Sequence, residues 1–194
     1  MPERAFVVDV SGERLLEAHP KLDGIVNKAN SYPCWASSAV PGAIMKPHHN
    51  LFIETLRRWD LLSNMLAFDD WVANSDRTIA NIVCTGKQEL TLIDHGHLGG
   101  SLYWMRDLLP ADGVFRSPVA YDLWPKALPD AVANQMVECA AKHYAIFTKV
   151  KLRLRAVIDL LASDAESGAA LMAFLEARAN GGYDRIKKTH GVLI

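Results

Sequence analysis

No run of apolar residues in this 194-residue chain reaches the length of about 20 that a membrane-crossing helix needs. The first ten residues hold only a short apolar stretch, Ala5 to Val8, broken by charge and too brief for the core of a secretory leader. An excess of one charge is missing too. Lys and Arg total 21 against 22 for Asp and Glu, a formal net charge of −1, so no basic field for nucleic acid or an anionic membrane surface is expected. Cysteine is scarce and scattered: Cys34, Cys84 and Cys139 make neither a zinc spacing nor a disulfide framework, and buried, reduced thiols in a cytoplasmic protein are expected. Clustered glycine is absent where a phosphate-cradling loop would need it. Gly12, Gly24 and Gly42 are isolated, while Lys21, Lys28 and Lys46 lie beside turns or prolines. There is no internal repeat and no low-complexity tract.

Hydrophobic residues make up 50% of the chain, enough to bury the core of a single domain over 1–194. Phe6 to Val10 reads as a strand and Glu13 to Ala18 as a helical fragment ending at His19-Pro20. Residues 23–49 carry Gly24, Pro33, Pro41-Gly42 and Pro47 and read as a long connection. From Asn50, apolar residues recur every three or four positions through Leu56, Trp59, Leu62, Leu66, Phe68 and Trp71, predicting one long helix that stops at Asn74. Its aromatic stripe, Phe52, Trp59, Phe68 and Trp71, reads as core. Residues 101–109 suggest a short helix, and prolines and Gly113 mark loops up to 129. A long helix is predicted from Asp130 to Leu161, its Lys149, Lys151, Arg153 and Arg155 forming a solvated face. A last helix runs from Glu166 to Ala179 and stops at Asn180-Gly181-Gly182.

The densest chemistry lies between these helices. Asn74-Ser75-Asp76-Arg77-Thr78-Ile79-Ala80-Asn81 is followed by the β-branched run Ile82 to Thr85, a turn at Gly86-Lys87-Gln88, and a second strand leading into Asp94-His95-Gly96. A hairpin folded about Lys87 and Gln88 sets Asn81 opposite Asp94, with Cβ atoms roughly 5 Å apart. That separation suits two oxygen ligands of one Mg²⁺, and Asp76 enters the same spot from the preceding loop. Phosphoryl transfer uses such a set: one carboxylate to orient and deprotonate the attacking hydroxyl, an amide oxygen and a second carboxylate for the metal. Each piece alone reads as a helix stop or a turn. A competing metal reading groups Asp94, His95 and His97, joined by His48 and His49, around zinc or iron.

These residues resemble the C-terminal, catalytic and metal-binding lobe of a HipA-like kinase. Asn74-Ser75-Asp76-Arg77-x-x-x-Asn81 is similar to that family's catalytic loop and Ile93-Asp94-His95-Gly96 to its metal-binding segment. Cys34 to Ala43 is similar to a stretch those proteins carry before the long helix. Leu92 to Leu98 also resembles, more distantly, the metal-binding segment of the phosphoinositide 3/4-kinase-type catalytic core. The likeness is dense over residues 33–100 and weak elsewhere. Thr78 stands where both families often place His, and the glycine-rich loop and strand lysine of an N-terminal lobe are missing.

The resemblance implies an α+β, mostly α fold: the large lobe of a protein-kinase-like fold with a central β-hairpin. The N-terminal lobe is reduced or absent, with residues 1–49 as its remnant or a linker and 50–194 as the helical catalytic lobe. It implies Asp76 as the catalytic base, Asn81 and Asp94 as Mg²⁺ ligands, and Asn74 and Arg77 as cofactor-binding residues. ATP and Mg²⁺ are the implied cofactors and a Ser or Thr hydroxyl of a protein the acceptor. The implied partner is a protein, whether substrate, separate N-terminal lobe or antitoxin of a toxin–antitoxin pair. The other class is a catalytically inactive, kinase-derived scaffold that engages a partner through residues 101–129 or the basic positions 149–155.

Overall fold

The computed structural model describes residues 5–37, 42–44, 50–85, 89–101 and 104–191. The fold is α+β and mostly helical, with two small antiparallel sheets. Strand β1 (Ala5–Ser11) runs into α1 (Gly12–Ala18), whose first turn is capped by the Ser11 hydroxyl accepting from the Arg14 N–H. β1 pairs along its full length with β2 (Ser31–Ser37). β2 lies inside the segment expected to be a connection. Pro33 weakens its strand signal, and a two-stranded ribbon tolerates a proline because each strand has an open edge.

The second sheet has the order β3 (Ala43–Ile44), β4 (Ile82–Cys84), β5 (Leu90–Leu92). The expected hairpin is β4–β5, but its register differs from expectation. Ile82 faces Leu92 and Cys84 faces Leu90, and the Thr85 N–H donates to the Glu89 carbonyl at 2.9 Å. The ladder is symmetric about position 87 alone, with three residues between Thr85 and Glu89, rather than about the 87–88 bond. Asn81 therefore faces Ile93, whose N–H donates to the Asn81 carbonyl at 3.0 Å, and Asp94 falls one step beyond the ladder. A one-residue slip turns a side chain to the other face, so this small difference matters.

The predicted helix over 50–72 is two helices, α2 (Asn50–Arg57) and α3 (Leu62–Val72). Between them Trp59 N–H donates to Leu56 O and Leu62 N–H to Trp59 O, both at 3.0 Å. Tight turns advance three residues at a time, so Leu56, Trp59 and Leu62 keep the spacing of a helix while the axis breaks. Phe52 and Trp71 are buried, and Trp59 and Phe68 pack half-buried against the core, as the aromatic stripe suggested. Residues 101–109 contribute a single 3₁₀ turn, Arg106–Leu108, with 102 and 103 outside the described residues. The chain then covers the core through α4 (Pro118–Leu123), burying Val119 and Leu123.

The run from Asp130 also divides, into α5 (Asp130–Ala140) and α6 (His143–Leu161). Ala141 and Lys142 keep right-handed backbone angles, so the bend needs no glycine or proline and leaves no mark in the sequence. Lys151 pairs with Glu176 at 2.9 Å and Arg155 with Asp159 at 2.7 Å on the exposed side of α6, the solvated face expected there. The last helix does not stop at Gly181-Gly182. α7 runs from Ala165 to His190 and ends at Gly191, whose φ of 63° is the left-handed cap. Gly182 is a packing position: a Cβ there would lie 3.4 Å from Ala140 Cβ and 3.7 Å from His143 Nδ1.

Helix α3 is the axis of the molecule. Leu62, Met65, Leu66 and Ala67 join one core with α2, α4 and α5. Trp71, Val72 and Ala73 join a second with α6 and α7. No disulfide joins Cys34, Cys84 and Cys139, and each is half-buried rather than buried. Among the described residues no helix is long and apolar enough to cross a membrane.

Candidate active site at the mouth of the hairpin

The site begins where α3 ends. Ala73 takes a left-handed conformation, φ 51°, and its N–H and that of Asn74 turn back to Asp70 O (3.1 Å) and Asp69 O (2.8 Å). This turn throws the chain across the open end of the hairpin. Opposite it, Gly100 N–H donates to Ala73 O at 2.8 Å with φ 85° at Gly100, a conformation open to glycine, so the segment after β5 is tied to the end of α3.

Asp69 organises the loop from beneath. Its carboxylate accepts from Arg77 Nε at 3.3 Å, Asn74 Nδ2 at 3.1 Å and Ser117 Oγ at 3.1 Å. Arg77 is fully buried and also donates through Nη1 to Ile93 O at 2.8 Å and through Nη2 to His95 Nδ1 at 2.9 Å. Burial pushes the Asp69 carboxyl above its ordinary range, and the Arg77 charge with the bonds from Asn74 and Ser117 pulls it back. Burial and then the Arg77 charge push His95 down. A guanidinium only donates, so His95 Nδ1 accepts and the neutral ring carries its proton on Nε2.

Asn74 and Arg77 were expected to meet a cofactor. The structure turns both inward instead, because the Asp69 carboxylate claims them. Consecutive carboxylates within the apolar run Ala67 to Val72 were the missed signal: a buried charge demands a partner nearby. Asp70 has the same need on another side. It takes Arg185 Nη2 at 2.6 Å and Arg178 Nη2 at 3.3 Å. Arg178 also donates to the carbonyls of Trp71 (2.9 Å), Pro110 (2.7 Å) and Gly113 (2.7 Å), which binds α7 to α3 and to the loop before α4. Burial, then Arg185, lowers the Arg178 guanidinium to about 10.

Asp76 sits above this foundation with its backbone clamped. Its N–H donates to Asn74 Oδ1 at 3.1 Å, and its carbonyl accepts from Thr78 N–H at 2.8 Å and Asn81 Nδ2 at 2.7 Å. Its side chain remains 41% exposed, with His97 Nε2 at 3.9 Å from Oδ2. Ser75 Oγ lies 3.5 Å from His97 Nδ1. Thr78 Oγ1 donates to Asn81 Oδ1 at 3.3 Å.

Asn81 and Asp94 supply the hard oxygens that Mg²⁺ prefers. The bond from Asn81 Nδ2 to Asp76 O fixes which end of the amide is oxygen, and Oδ1 keeps a lone pair beyond the one Thr78 uses. Asp94 is exposed, in a left-handed conformation (φ 53°), with Oδ1 3.4 Å from Gly96 N. The donor chemistry fits the ion, although the strands do not hold the two residues opposite one another. The zinc or iron grouping is not formed: among the described residues no three His, Cys, Asp or Glu side chains gather. His95 is turned to Arg77 and His97 to Ser75 and Asp76, while His48 and His49 lie outside the described residues. No family model, no curated protein and no solved structure matches this chain.

Proposed function

We infer that the chain is a Mg-ATP-dependent phosphotransferase of the HipA-like kinase type, acting on a Ser or Thr hydroxyl of a protein. The observation that carries this reading is the division of labour in the loop 74–81. Asn74 and Arg77 are buried and spent on Asp69, whereas Asp76 between them has a clamped backbone and a side chain 41% exposed. A general base needs that combination of fixed position and access.

In this mechanism Asp76 accepts a hydrogen bond from the attacking hydroxyl and takes its proton as the new O–P bond forms, while the bond from the γ-phosphorus to the β–γ bridging oxygen breaks and ADP leaves. Asn81 Oδ1 and the Asp94 carboxylate would hold Mg²⁺, which supplies neutralisation of the nucleotide's phosphate charge. Arg77, through Ile93 O and His95, fixes the backbone that leads to Asp94. Residues 1–194 hold no glycine-rich loop to position the nucleotide, and the proposal includes a protein partner that supplies an N-terminal lobe.

The test is transfer of labelled phosphate from ATP to protein, with and without co-expressed partner, by wild type and by Asp76→Asn and Asp94→Asn variants of unchanged fold. Loss of transfer in both is expected. Transfer that survives both changes sinks the reading, and a folded wild type that neither transfers phosphate nor binds Mg-ATP with its partner present leaves the scaffold in its place.

A further inference from the structure

Arg116 precedes α4, on a part of the surface that the loop 74–97 does not form. Its Nη2 donates to Ala120 O at 3.2 Å and to Trp124 O, closing the C-terminal end of that helix. Its guanidinium lies 4.1 Å from the centroid of the Tyr121 ring. Nε is sealed from solvent and has no acceptor. Among the described residues no carboxylate pairs with this guanidinium. A buried donor without a partner and a charge without a counter-ion are both costly.

Arg116 lines a cavity of about 310 Å³ together with the basic residues Lys126 and His190 and the apolar or aromatic residues Val114, Tyr121 and Leu128. The lining holds no carboxylate. Burial and the Arg116 charge push His190 down, with Asp70 opposing them, so the basic groups feel one another. Arg116 reaches this lining from the segment before α4, Lys126 from the loop after it and His190 from the end of α7, and three such donors suit an oxyanion with three terminal oxygens.

We propose that this cavity binds a small phosphate monoester, its phosphoryl oxygens on Arg116, Lys126 and His190 and its organic body against Val114, Tyr121 and Leu128. The proposal is independent of the phosphotransfer reading. Calorimetric titration of the full chain with phenyl phosphate, inorganic phosphate and benzoate at constant ionic strength tests it. Phenyl phosphate should bind more tightly than inorganic phosphate, and benzoate more weakly than either. Lys126→Ala, a change at an exposed side chain, should weaken phenyl phosphate by about tenfold. His190→Gln should also weaken it, and both variants keep the question answerable where Arg116→Ala loosens α4. Asp76→Asn should leave the affinity unchanged. No heat with millimolar phenyl phosphate, equal affinity in Lys126→Ala and His190→Gln, benzoate binding as well as phenyl phosphate, or loss on Asp76→Asn would each overturn the assignment.

Discussion

Asp69 and Asp70, consecutive residues in the last turn of α3, hold different arginines. Asp69 takes Arg77 from the loop that follows, and Asp70 takes Arg178 and Arg185 from α7. One helix end thus anchors both the candidate site and the longest helix. All four charged groups nearest the axis are almost wholly buried: Asp69, Asp70, Arg77 and Arg178. Removing one carboxylate strands a guanidinium away from water. Asp70→Asn is therefore expected to cost about 3–5 kcal/mol in urea unfolding. A loss under about 1 kcal/mol would mean that water or other groups already satisfy Arg178 and Arg185.

Asp76 presents the opposite case. Its carbonyl and N–H hold the loop, but its side chain is 41% exposed. Asp76→Asn should lower kcat by about 10²–10⁴-fold while the thermal midpoint stays within about 1 °C of wild type. A fall in activity matched by a fall in midpoint would reassign Asp76 to the scaffold.

Thr78 stands where the resembled families often carry His, and its hydroxyl is put to another use, donating to Asn81 Oδ1 at 3.3 Å. On the phosphotransfer reading proposed above, Thr78 would position the Mg²⁺ ligand Asn81 rather than touch a reactant. Thr78→Val should raise the Mg²⁺ concentration needed for half-maximal activity by about 10–100-fold with kcat at saturating Mg²⁺ little changed, and Thr78→Ser should restore it. A fall in kcat that excess Mg²⁺ does not recover would place Thr78 at the reacting atoms instead.

Local pattern made some of this legible. β1 and the strands of the hairpin follow from β-branched and apolar runs, and Asp76 enters the hairpin mouth where the sequence put it. What stayed hidden depends on contacts distant in the chain. The register is centred on position 87 rather than on the 87–88 bond, which the spacing of Asn81 and Asp94 does not reveal. Asn74 and Arg77 look like site residues until Asp69 is seen beneath them. The breaks at Arg58 to Leu61 and at Ala141-Lys142 need neither glycine nor proline, so periodicity runs through both. Arg178 and Arg185, two turns apart on α7, were the readable counterpart of Asp70, hidden because the helix was expected to end before the second of them.

His143 adds a pH dependence. Its ring stacks on Trp71 with centroids 4.7 Å apart, and Nδ1 is buried without a partner. Burial first, then the Arg185 charge, lowers its pKa to about 4. The unfolded chain, with an ordinary value near 6.5, binds the proton more readily, so stability falls as pH drops from about 6.5 to about 4. The loss from this group is on the order of 3 kcal/mol. His143→Phe keeps an aromatic ring against Trp71 and has nothing to titrate. Urea unfolding across that window should show a shallower slope in the variant; identical slopes would mean that His143 is protonated in the folded protein.

Gly181 gives the most direct check on α7. The Asn180-Gly181-Gly182 sequence has the form of a helix stop, yet the helix continues for two more turns and carries Arg185 to Asp70. Glycine inside a helix is costly because the unfolded chain gives up more freedom there. A Cβ at Gly181 would meet only Arg185 Nη1, at 3.7 Å, the far end of a flexible side chain. Gly181→Ala is expected to stabilise the protein by about 0.5–1 kcal/mol. If the helix ended at this point instead, glycine would occupy a left-handed cap, and alanine would destabilise. The sign of the change in urea unfolding therefore decides between a continuous α7, with Arg185 held against Asp70, and a terminated one in which that ion pair has no means of forming.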